Sequence, residues 1–146
     1  MSDHDRPLNT RGMRDAPRMG EHLVRMGLVP DLIVTSTAER ARDTALTVQE
    51  TCGSAAEVME ARALYHGGVA SYVSVLRAVD GVHRQVLVVA HNPGAEDFVT
   101  AMTGEHVEMK TATIAHISLP IDSWEELGNA APYELVDSWS PKDLVG

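Results

Sequence analysis

Cysteine is nearly absent from this sequence, and long apolar runs are missing altogether. The single Cys52 cannot form an internal disulfide, and neither a C-x-x-C pair nor a Cys/His cluster typical of zinc sites occurs. The apolar runs are far shorter than the roughly 20 residues of a membrane helix, and the first residues, MSDHDRPLNTRG, contain no hydrophobic signal region. We therefore expect a cytoplasmic protein without a metal, another cofactor or a membrane span.

Basic residues are also scarce. The chain has 12 Lys and Arg against 21 Asp and Glu, which gives a formal net charge of -9. Such an acidic protein is poorly suited to a polyphosphate backbone, so nucleic acid is not expected as a partner. The 146 residues contain no repeat or flexible linker, and a chain of this length buries roughly 70% of its unfolded surface. We expect one domain over 1–146.

Strand and helix patterns alternate along the chain. Apolar or small residues at helical spacing predict a first helix within 8–27, with Asn9 or Thr10 as N-cap and a late start or a kink at Pro17. Further helices are predicted over 38–53, ended by Gly53, over 70–79 and over 94–104. The remaining periodic segments predict strands at 31–36, 56–61, 85–91, 111–120 and 133–141.

The strand patterns indicate the fold class. The segment QVLVVAH is continuously apolar, which is typical of a parallel strand covered by helices on both faces. The last two strand segments alternate instead, which favours a pair of strands at a sheet edge. The sequence predicts an α/β fold.

Two predicted strand ends carry polar side chains that are candidates for a binding or catalytic site. The strand 31–36 leads through Ser36 and Thr37 into a helix with Arg40 in its first turn. Free backbone N–H groups at a helix start and an arginine together suit a phosphate. The alternative is that Arg40 and Arg42 solvate an exposed helix and pair with Glu39 or Asp43.

His91 ends the apolar strand 85–91 and precedes a turn, NPG, that opens another helix. Ligands of open α/β sheets bind beyond the carboxyl ends of the strands, where a histidine can titrate near neutrality. The alternative is a core histidine bound to a backbone carbonyl. Arg40 and His91 at adjacent strand ends would form a pocket for a phosphoryl group.

The other histidines show no metal-ligand spacing. We interpret His22 and His83 as surface residues and His66 as part of a surface loop. Glu60 is interpreted as a strand or helix capping residue in the same region. It is also a weak candidate for a general acid.

Five stretches occur in an order and spacing that resemble the histidine phosphatase superfamily, specifically its small SixA-type phosphohistidine phosphatase branch: SDHDRPLNTRG, TSTAERARDTA, VLVVAHNPG, MKTATIAHI and the closing SPKDL. The resemblance implies a three-layer, phosphoglycerate mutase-like sandwich with a mostly parallel sheet flanked by helices. It also implies that Arg40 is the second phosphate-binding arginine and His91 the second active-site histidine, both catalytic, with Arg6 at the pocket rim and Ser36 among the substrate-binding residues.

The chain departs from this family at one point. The family's first strand ends in an Arg-His-Gly or Arg-His-Ala triplet whose histidine attacks phosphorus, and this sequence contains no such triplet. The resemblance puts that strand before SDHDRPLN, between the strands that end here at Ser36 and His91. Its removal would leave an apolar gap and unpaired backbone groups. We therefore expect the chain to start inside a longer reading frame. His4 is an alternative nucleophile, although SDHDRPLN matches a segment after the triplet.

The resemblance implies that the protein hydrolyses a phosphoryl group, with phosphohistidine on a protein as the first expected substrate. It also implies a phosphohistidine enzyme intermediate and a reaction without metal. The chain as it stands is expected to bind the group but to lack the attacking residue. Two alternatives remain open. One is a non-catalytic phosphate-binding or interaction module, and the other is a phosphomonoesterase or mutase acting on a small phosphorylated substrate.

Overall fold

The protein, seen in a computed structural model that describes residues 2–53 and 55–144, alternates helices and strands as the sequence predicts. The helices are α1 (Thr10–Arg25), α2 (Glu39–Thr51), α3 (Val69–Arg77) and α4 (Gly94–Thr103). The strands are β1 (Leu32–Thr35), β2 (Glu57–Glu60), β3 (Val86–Val89), β4 (Ile114–Ser118) and β5 (Glu134–Trp139). Three short 3-10 turns lie at Arg62–Leu64, Trp124–Glu126 and Pro141–Asp143.

Local sequence accounts for the ends of the first two helices. The side chain of Asn9 accepts a hydrogen bond from the backbone N–H of Gly12 at 2.9 Å and so caps α1. The predicted late start is wrong, because α1 begins at Thr10 and continues through Pro17. α2 is followed by Gly53 with φ +63°, the left-handed conformation that glycine adopts without steric cost.

The parallel sheet has the strand order β2-β1-β3, with β1 in the centre. β4 and β5 form an antiparallel pair with an irregularity between His116 and Ile117. The expected α/β class, with a parallel sheet flanked by helices, is confirmed.

Side chains alternate between the two faces of the sheet and so build three layers. On one face Leu87 of β3 packs in a cluster with Leu23 of α1 and Val48 of α2. On the other face Val34 of β1 packs with Tyr72 and Leu76 of α3. Because both faces are covered, β1 is buried along its whole length.

The open space in the sheet does not lie where the sequence placed it. β1 and β3 pair directly, with Thr35 opposite Val89, so the expected gap between the strands ending at Ser36 and His91 is wrong. A cavity of about 1540 Å³ lies instead between β3 and β4. Among the described residues, the antiparallel pair is a separate two-stranded sheet, without a ladder to the edge of the parallel one.

Two histidines differ from their expected surface positions. His22 is only 5% exposed, and its ring packs edge-on against Trp139 of β5 with the ring centroids 4.6 Å apart. Burial lowers the pKa of His22. His83 is half-buried, with its Nδ1 3.4 Å from the carboxylate of Asp31. Across residues 2–53 and 55–144, no helix combines the length and the apolar character needed to cross a membrane.

Candidate functional site

The parallel pairing of β1 and β3 brings two site residues together. The backbone N–H of Ser36 donates to the carbonyl of Val89 at 2.9 Å, so the residues that follow the two strands emerge side by side. The Ser36 hydroxyl and His91 Nε2 lie 2.9 Å apart and are hydrogen-bonded. The sequence predicted adjacent strand ends here, although the resemblance implied a further strand between them, and in the structure the two strands pair directly.

His91 is held from two sides. Ser36 is fully buried and binds the ring, while the Tyr72 hydroxyl donates to the His91 carbonyl at 3.2 Å. Burial, and next the positive charge of Arg40, lower the pKa of His91 from 6.5 to about 4. The imidazole is therefore neutral at neutral pH and has one N–H to donate.

Close packing fixes the turn after His91. A Cβ on Gly94 would lie 2.5 Å from the carbonyl oxygen of Gly67 and 2.8 Å from the Tyr72 hydroxyl. Only glycine fits this approach, because real Cβ contacts are not that short. The start of α4, and with it His91, is thus packed directly on α3 and the preceding loop.

Arg40 lies in the first turn of α2 and lines the same cavity as His91. Its Nη1 donates to the backbone carbonyl of Asp3 at 2.8 Å, and its Nη2 donates to the Asp3 carboxylate at 3.2 Å. The side chain is 25% exposed. The alternative that Arg40 merely solvates an exposed helix therefore does not describe it.

An anionic group already sits beside Arg40. The Asp3 carboxylate accepts a hydrogen bond from the Tyr65 hydroxyl at 2.6 Å and another from Arg6 at 2.8 Å. These hydrogen bonds and charges, Tyr65 first and Arg40 next, lower the pKa of Asp3. The hydrogen bond to Asp3 raises the pKa of Tyr65. Arg6 is among the residues that line the cavity, and its role in substrate binding stays a prediction.

Three histidine rings lie around the Tyr65 ring, whose hydroxyl binds this carboxylate. The Tyr65 ring meets His4 edge-on at 4.8 Å, His66 at 4.1 Å and His91 at 5.7 Å between centroids. His4 Nε2 is also hydrogen-bonded to the Thr37 hydroxyl at 2.8 Å. Sequence reasoning missed Asp3 and Tyr65 as site residues. Asp3 lies three residues before Arg6 in the DHDR stretch, which is a usable signal, but Tyr65 follows a 3-10 turn and has none.

The helix N-termini contribute less than expected. The Ala38 N–H binds the Ser36 hydroxyl at 3.2 Å, and the Glu39 N–H binds the His4 carbonyl at 2.9 Å. At the start of α4 the Ala95 N–H binds the His91 carbonyl at 2.8 Å. These donors have partners within the protein, so an anion at this site would be bound mainly by side chains.

The remaining candidates lie outside this cluster. Arg42 pairs with Glu60 at 3.6 Å rather than with Glu39 or Asp43, because β2 ends beside that face of α2. Glu60 is a salt-bridge partner at the end of β2, and nothing in the structure assigns it an acid role. Within the described part of the chain, no three His, Cys, Asp or Glu side chains are grouped to hold a metal ion.

Known proteins resemble this chain in sequence and in structure. Residues 1–64 match the family model of the histidine phosphatase superfamily, branch 1. An uncharacterized chloroplastic protein of Arabidopsis thaliana is 30% identical over an alignment of 142 positions, which covers 86% of this chain and 62% of that protein.

Solved structures give the same result. A putative phosphohistidine phosphatase SixA from Nakamurella multipartitia is 30% identical with a TM-score of 0.86, over 97% of this chain and 88% of that one. One from Agrobacterium tumefaciens is 25% identical with a TM-score of 0.80, over 97% and 87%. The protein histidine phosphatase SixA in complex with tungstate is 26% identical with a TM-score of 0.83, over 99% and 90%. The chain therefore belongs to the histidine phosphatase superfamily.

Proposed function

We propose that this protein is a metal-independent phosphatase that removes a phosphoryl group from phosphohistidine on a protein. The observation that carries the proposal is that Arg40 and His91 line one cavity and that an anion, the Asp3 carboxylate, is bound beside them. Guanidinium and hydroxyl donors that hold a carboxylate also suit a phosphoryl oxygen. In the proposed complex the phosphoryl group takes the place of Asp3.

Arg40 and Arg6 supply the positive charge of the proposed site. A guanidinium stays charged at every working pH and can bind two oxygens of one phosphoryl group. Arg40 is the stronger candidate because it is the more buried of the two arginines, with 25% of its side chain exposed against 63% for Arg6. Arg6 is assigned to substrate binding at the rim.

His91 donates a hydrogen bond to a phosphoryl oxygen in this proposal. Its pKa of about 4 keeps the free imidazole neutral, so it adds a directed N–H rather than a permanent charge. A bound dianionic group would raise that pKa, because a nearby opposite charge favours the protonated ring. Ser36 is fully buried and already bonded to His91, so we assign it to positioning the ring.

The reaction proceeds in two transfers. An imidazole nitrogen attacks phosphorus in line, the bond from phosphorus to the substrate nitrogen breaks, and the departing histidine takes a proton. Water then attacks the enzyme phosphohistidine, and inorganic phosphate leaves. Arg40 and His91 stabilise charge on the equatorial oxygens in both steps. None of the seven histidines is assigned as the attacking imidazole, because the resemblance places that residue in an Arg-His-Gly or Arg-His-Ala triplet, which these 146 residues do not contain.

The open geometry of the site favours a protein substrate. The segment between β2 and α3 is short and contains one 3-10 turn, Arg62–Leu64, so no long insertion covers the cavity mouth. Asp3 and His66 are exposed beside it. A phosphorylated side chain on a protein surface can therefore reach Arg40. The similar solved structures are described as a putative phosphohistidine phosphatase SixA and as the protein histidine phosphatase SixA.

The test is a substrate panel for the protein translated from its full reading frame. We expect phosphate release from a histidine-phosphorylated protein to exceed release from phosphoserine peptides and sugar phosphates. Arg40→Ala and His91→Ala should each abolish it, whereas Arg42→Ala, on the same helix but paired with Glu60, should not. Preference for a sugar phosphate would favour a small-molecule phosphomonoesterase. Binding without turnover of any substrate would favour a phosphate-binding module.

A further inference from the structure

Positive charge is concentrated in one part of this acidic protein. Residues 6–25 contain five of the 12 Lys and Arg but only two of the 21 Asp and Glu, which gives this segment a formal net charge of +3. The remaining seven basic and 19 acidic residues give the rest of the chain a net charge of -12. The segment 6–25 includes the whole of α1, so a basic helix lies on an otherwise acidic molecule.

The fold places most of this charge along one line of α1. Arg11, Arg14, Arg18 and Arg25 are three, four and seven positions apart, so at 3.6 residues per turn they fall within an arc of roughly 60° around the helix axis. Arg11, Arg14 and Arg25 are exposed, and Arg18 is half-buried. These four residues form the arginine stripe of α1.

Pairing within the protein leaves the stripe positive. The Asp15 carboxylate, 1% exposed, lies 3.1 Å from Arg14 and 3.9 Å from Arg18, so two guanidinium groups share one buried negative charge. Over residues 2–53 and 55–144, the Arg11 side chain has no ion-pair partner. Glu21 is exposed on the same side of the helix. The four arginines therefore exceed the nearby carboxylates by two charges.

The stripe begins at the candidate site. The His4 carbonyl binds the first N–H of α2, and α1 begins only six positions later in the chain. Near their other ends the two helices meet where Gly20 of α1 packs directly on Thr51 of α2. Because α1 and α2 thus run in the same direction, Arg11 lies at the end of α1 nearest Arg40, and both side chains line the cavity.

A protein that presents a phosphorylated side chain to the cavity would therefore meet the stripe. At 1.5 Å per residue, Arg18 lies roughly 10 Å and Arg25 roughly 20 Å beyond Arg11 along the helix. Acidic side chains at these distances from the phosphorylated residue would face the arginines. Complementary charges at the rim of an interface speed association and fix the register of the two partners.

The charge of the whole molecule favours a protein partner over other polyanions. A membrane surface or a nucleic acid is anionic over a large area, so it would also face the acidic remainder of the chain and be repelled. An acidic patch on a folded protein is small enough to contact the stripe alone.

We infer that the arginine stripe of α1 binds an acidic surface of a phosphorylated partner protein and so brings the phosphorylated side chain to Arg40 and His91. The identity of that side chain rests on the proposed function. The docking itself is electrostatic and can be measured without turnover.

The test is the binding of three labelled peptides to the 146-residue protein at low ionic strength. Each peptide carries one stable triazole analogue of phosphohistidine, followed by six glutamates, six glutamines or six lysines. We expect the glutamate peptide to bind at least about tenfold more tightly than the glutamine peptide, because several rim ion pairs add to its affinity. The advantage should disappear in about 1 M NaCl, where charges are screened within about 3 Å. Equal affinities of the glutamate and glutamine peptides at low salt would overturn the inference.

Charge reversal locates the binding surface. Arg18→Glu should reduce the glutamate advantage to about threefold or less, since a rim attraction becomes a repulsion, and should leave tungstate affinity unchanged. Arg84→Glu is the matched control, because Arg84 is exposed just before β3, at the amino end of the strand, and the substitution changes the net charge equally. Arg18→Gln replaces Arg18→Glu if a glutamate beside the buried Asp15 prevents folding. An equal loss in the Arg18 and Arg84 variants would contradict binding along α1.

The outcomes separate the docking surface from the proposed reaction. A glutamate advantage that depends on Arg18, without hydrolysis of phosphohistidine, would keep the docking surface and refute the proposed function. Hydrolysis without a glutamate advantage would do the reverse. Tighter binding to phosphatidylserine vesicles than to the glutamate peptide would indicate a membrane surface and overturn the inference.

Discussion

The side chains of Ser36 and His91 are hydrogen-bonded at 2.9 Å although 55 positions separate them in the sequence. The contact exists because β1 and β3 are parallel neighbours whose carboxyl ends lie at the same height. The same Ser36 hydroxyl accepts the N–H of Ala38 at the start of α2. One buried hydroxyl thus connects the site histidine to the helix that carries Arg40.

Ser36→Ala should lower the free energy of unfolding by about 1–3 kcal/mol, because it leaves a buried backbone N–H and the His91 ring without their partner. Urea denaturation measures this change. Ser118→Ala, at an exposed position at the end of β4, is the control and should have little effect. Equal stability of the two variants would mean that the Ser36 hydrogen bonds contribute nothing.

Arg40→Ala should weaken tungstate binding about 10- to 100-fold, the equivalent of losing charge-assisted hydrogen bonds worth about 1.5–3 kcal/mol. Isothermal titration calorimetry gives the dissociation constant directly. Arg42→Ala is the matched control on the same helix, since Arg42 pairs with Glu60 away from the cavity. The assignment fails if both substitutions weaken binding equally.

Asp3→Asn should strengthen tungstate binding about 3- to 10-fold, because the carboxylate that competes for Arg40 and the Tyr65 hydroxyl becomes neutral. Asp5→Asn is the control, since Asp5 is bonded to Ser2 and His4 instead. Weaker binding in Asp3→Asn would show that Asp3 orients Arg40 rather than competing with the ligand.

The sequence predicted the elements and the two strand ends well, since both depend on local patterns. Capping at Asn9, the apolar period of each element and the ends of β1 and β3 are readable within a few residues. His22 was misassigned because Trp139, which buries it, lies far along the chain. Asp3 has a local signal, the nearby Arg6, but its bond to Tyr65, 62 positions away, is not readable from the sequence.

The order of the strands in the sheet could not be predicted from the sequence. Continuous apolar character in β3 correctly predicted neighbours on both faces, but it does not say which strand lies on which edge. The pairing of β1 with β3, rather than a gap between them, is a property of the assembled sheet.

Stability should depend on pH through His91. The folded protein binds this proton near pH 4, whereas the unfolded chain binds it near pH 6.5, so unfolding takes up a proton between these values. The free energy of unfolding is therefore unaffected by His91 above about pH 6.5, and it decreases as the pH falls towards about 4. The free energy of unfolding of the His91→Gln variant, measured by urea denaturation, should decrease less over that pH interval. Since His22 titrates in both proteins, the difference between the two curves isolates His91, and parallel curves would contradict the low pKa.

Gly94→Ala should destabilise the protein by about 1–3 kcal/mol through overpacking and should also weaken tungstate binding. The added Cβ meets the Gly67 carbonyl oxygen and the Tyr72 hydroxyl, so the turn that carries His91 must move. Gly81→Ala is the control, because a Cβ there meets no atom within 4 Å. Thermal denaturation and calorimetry report the two effects. A Gly94→Ala protein as stable as Gly81→Ala would show that the turn is not tightly packed.

A crystal structure of the protein soaked in tungstate tests most directly whether Arg40 and His91 bind one oxyanion, because the tungsten position is visible by anomalous scattering. We expect one strong peak with the oxyanion oxygens in hydrogen-bond contact with the Arg40 guanidinium and the His91 imidazole, and with the Asp3 carboxylate displaced. A peak that contacts neither side chain, or Asp3 still bound to Arg40 at saturating tungstate, would contradict the account.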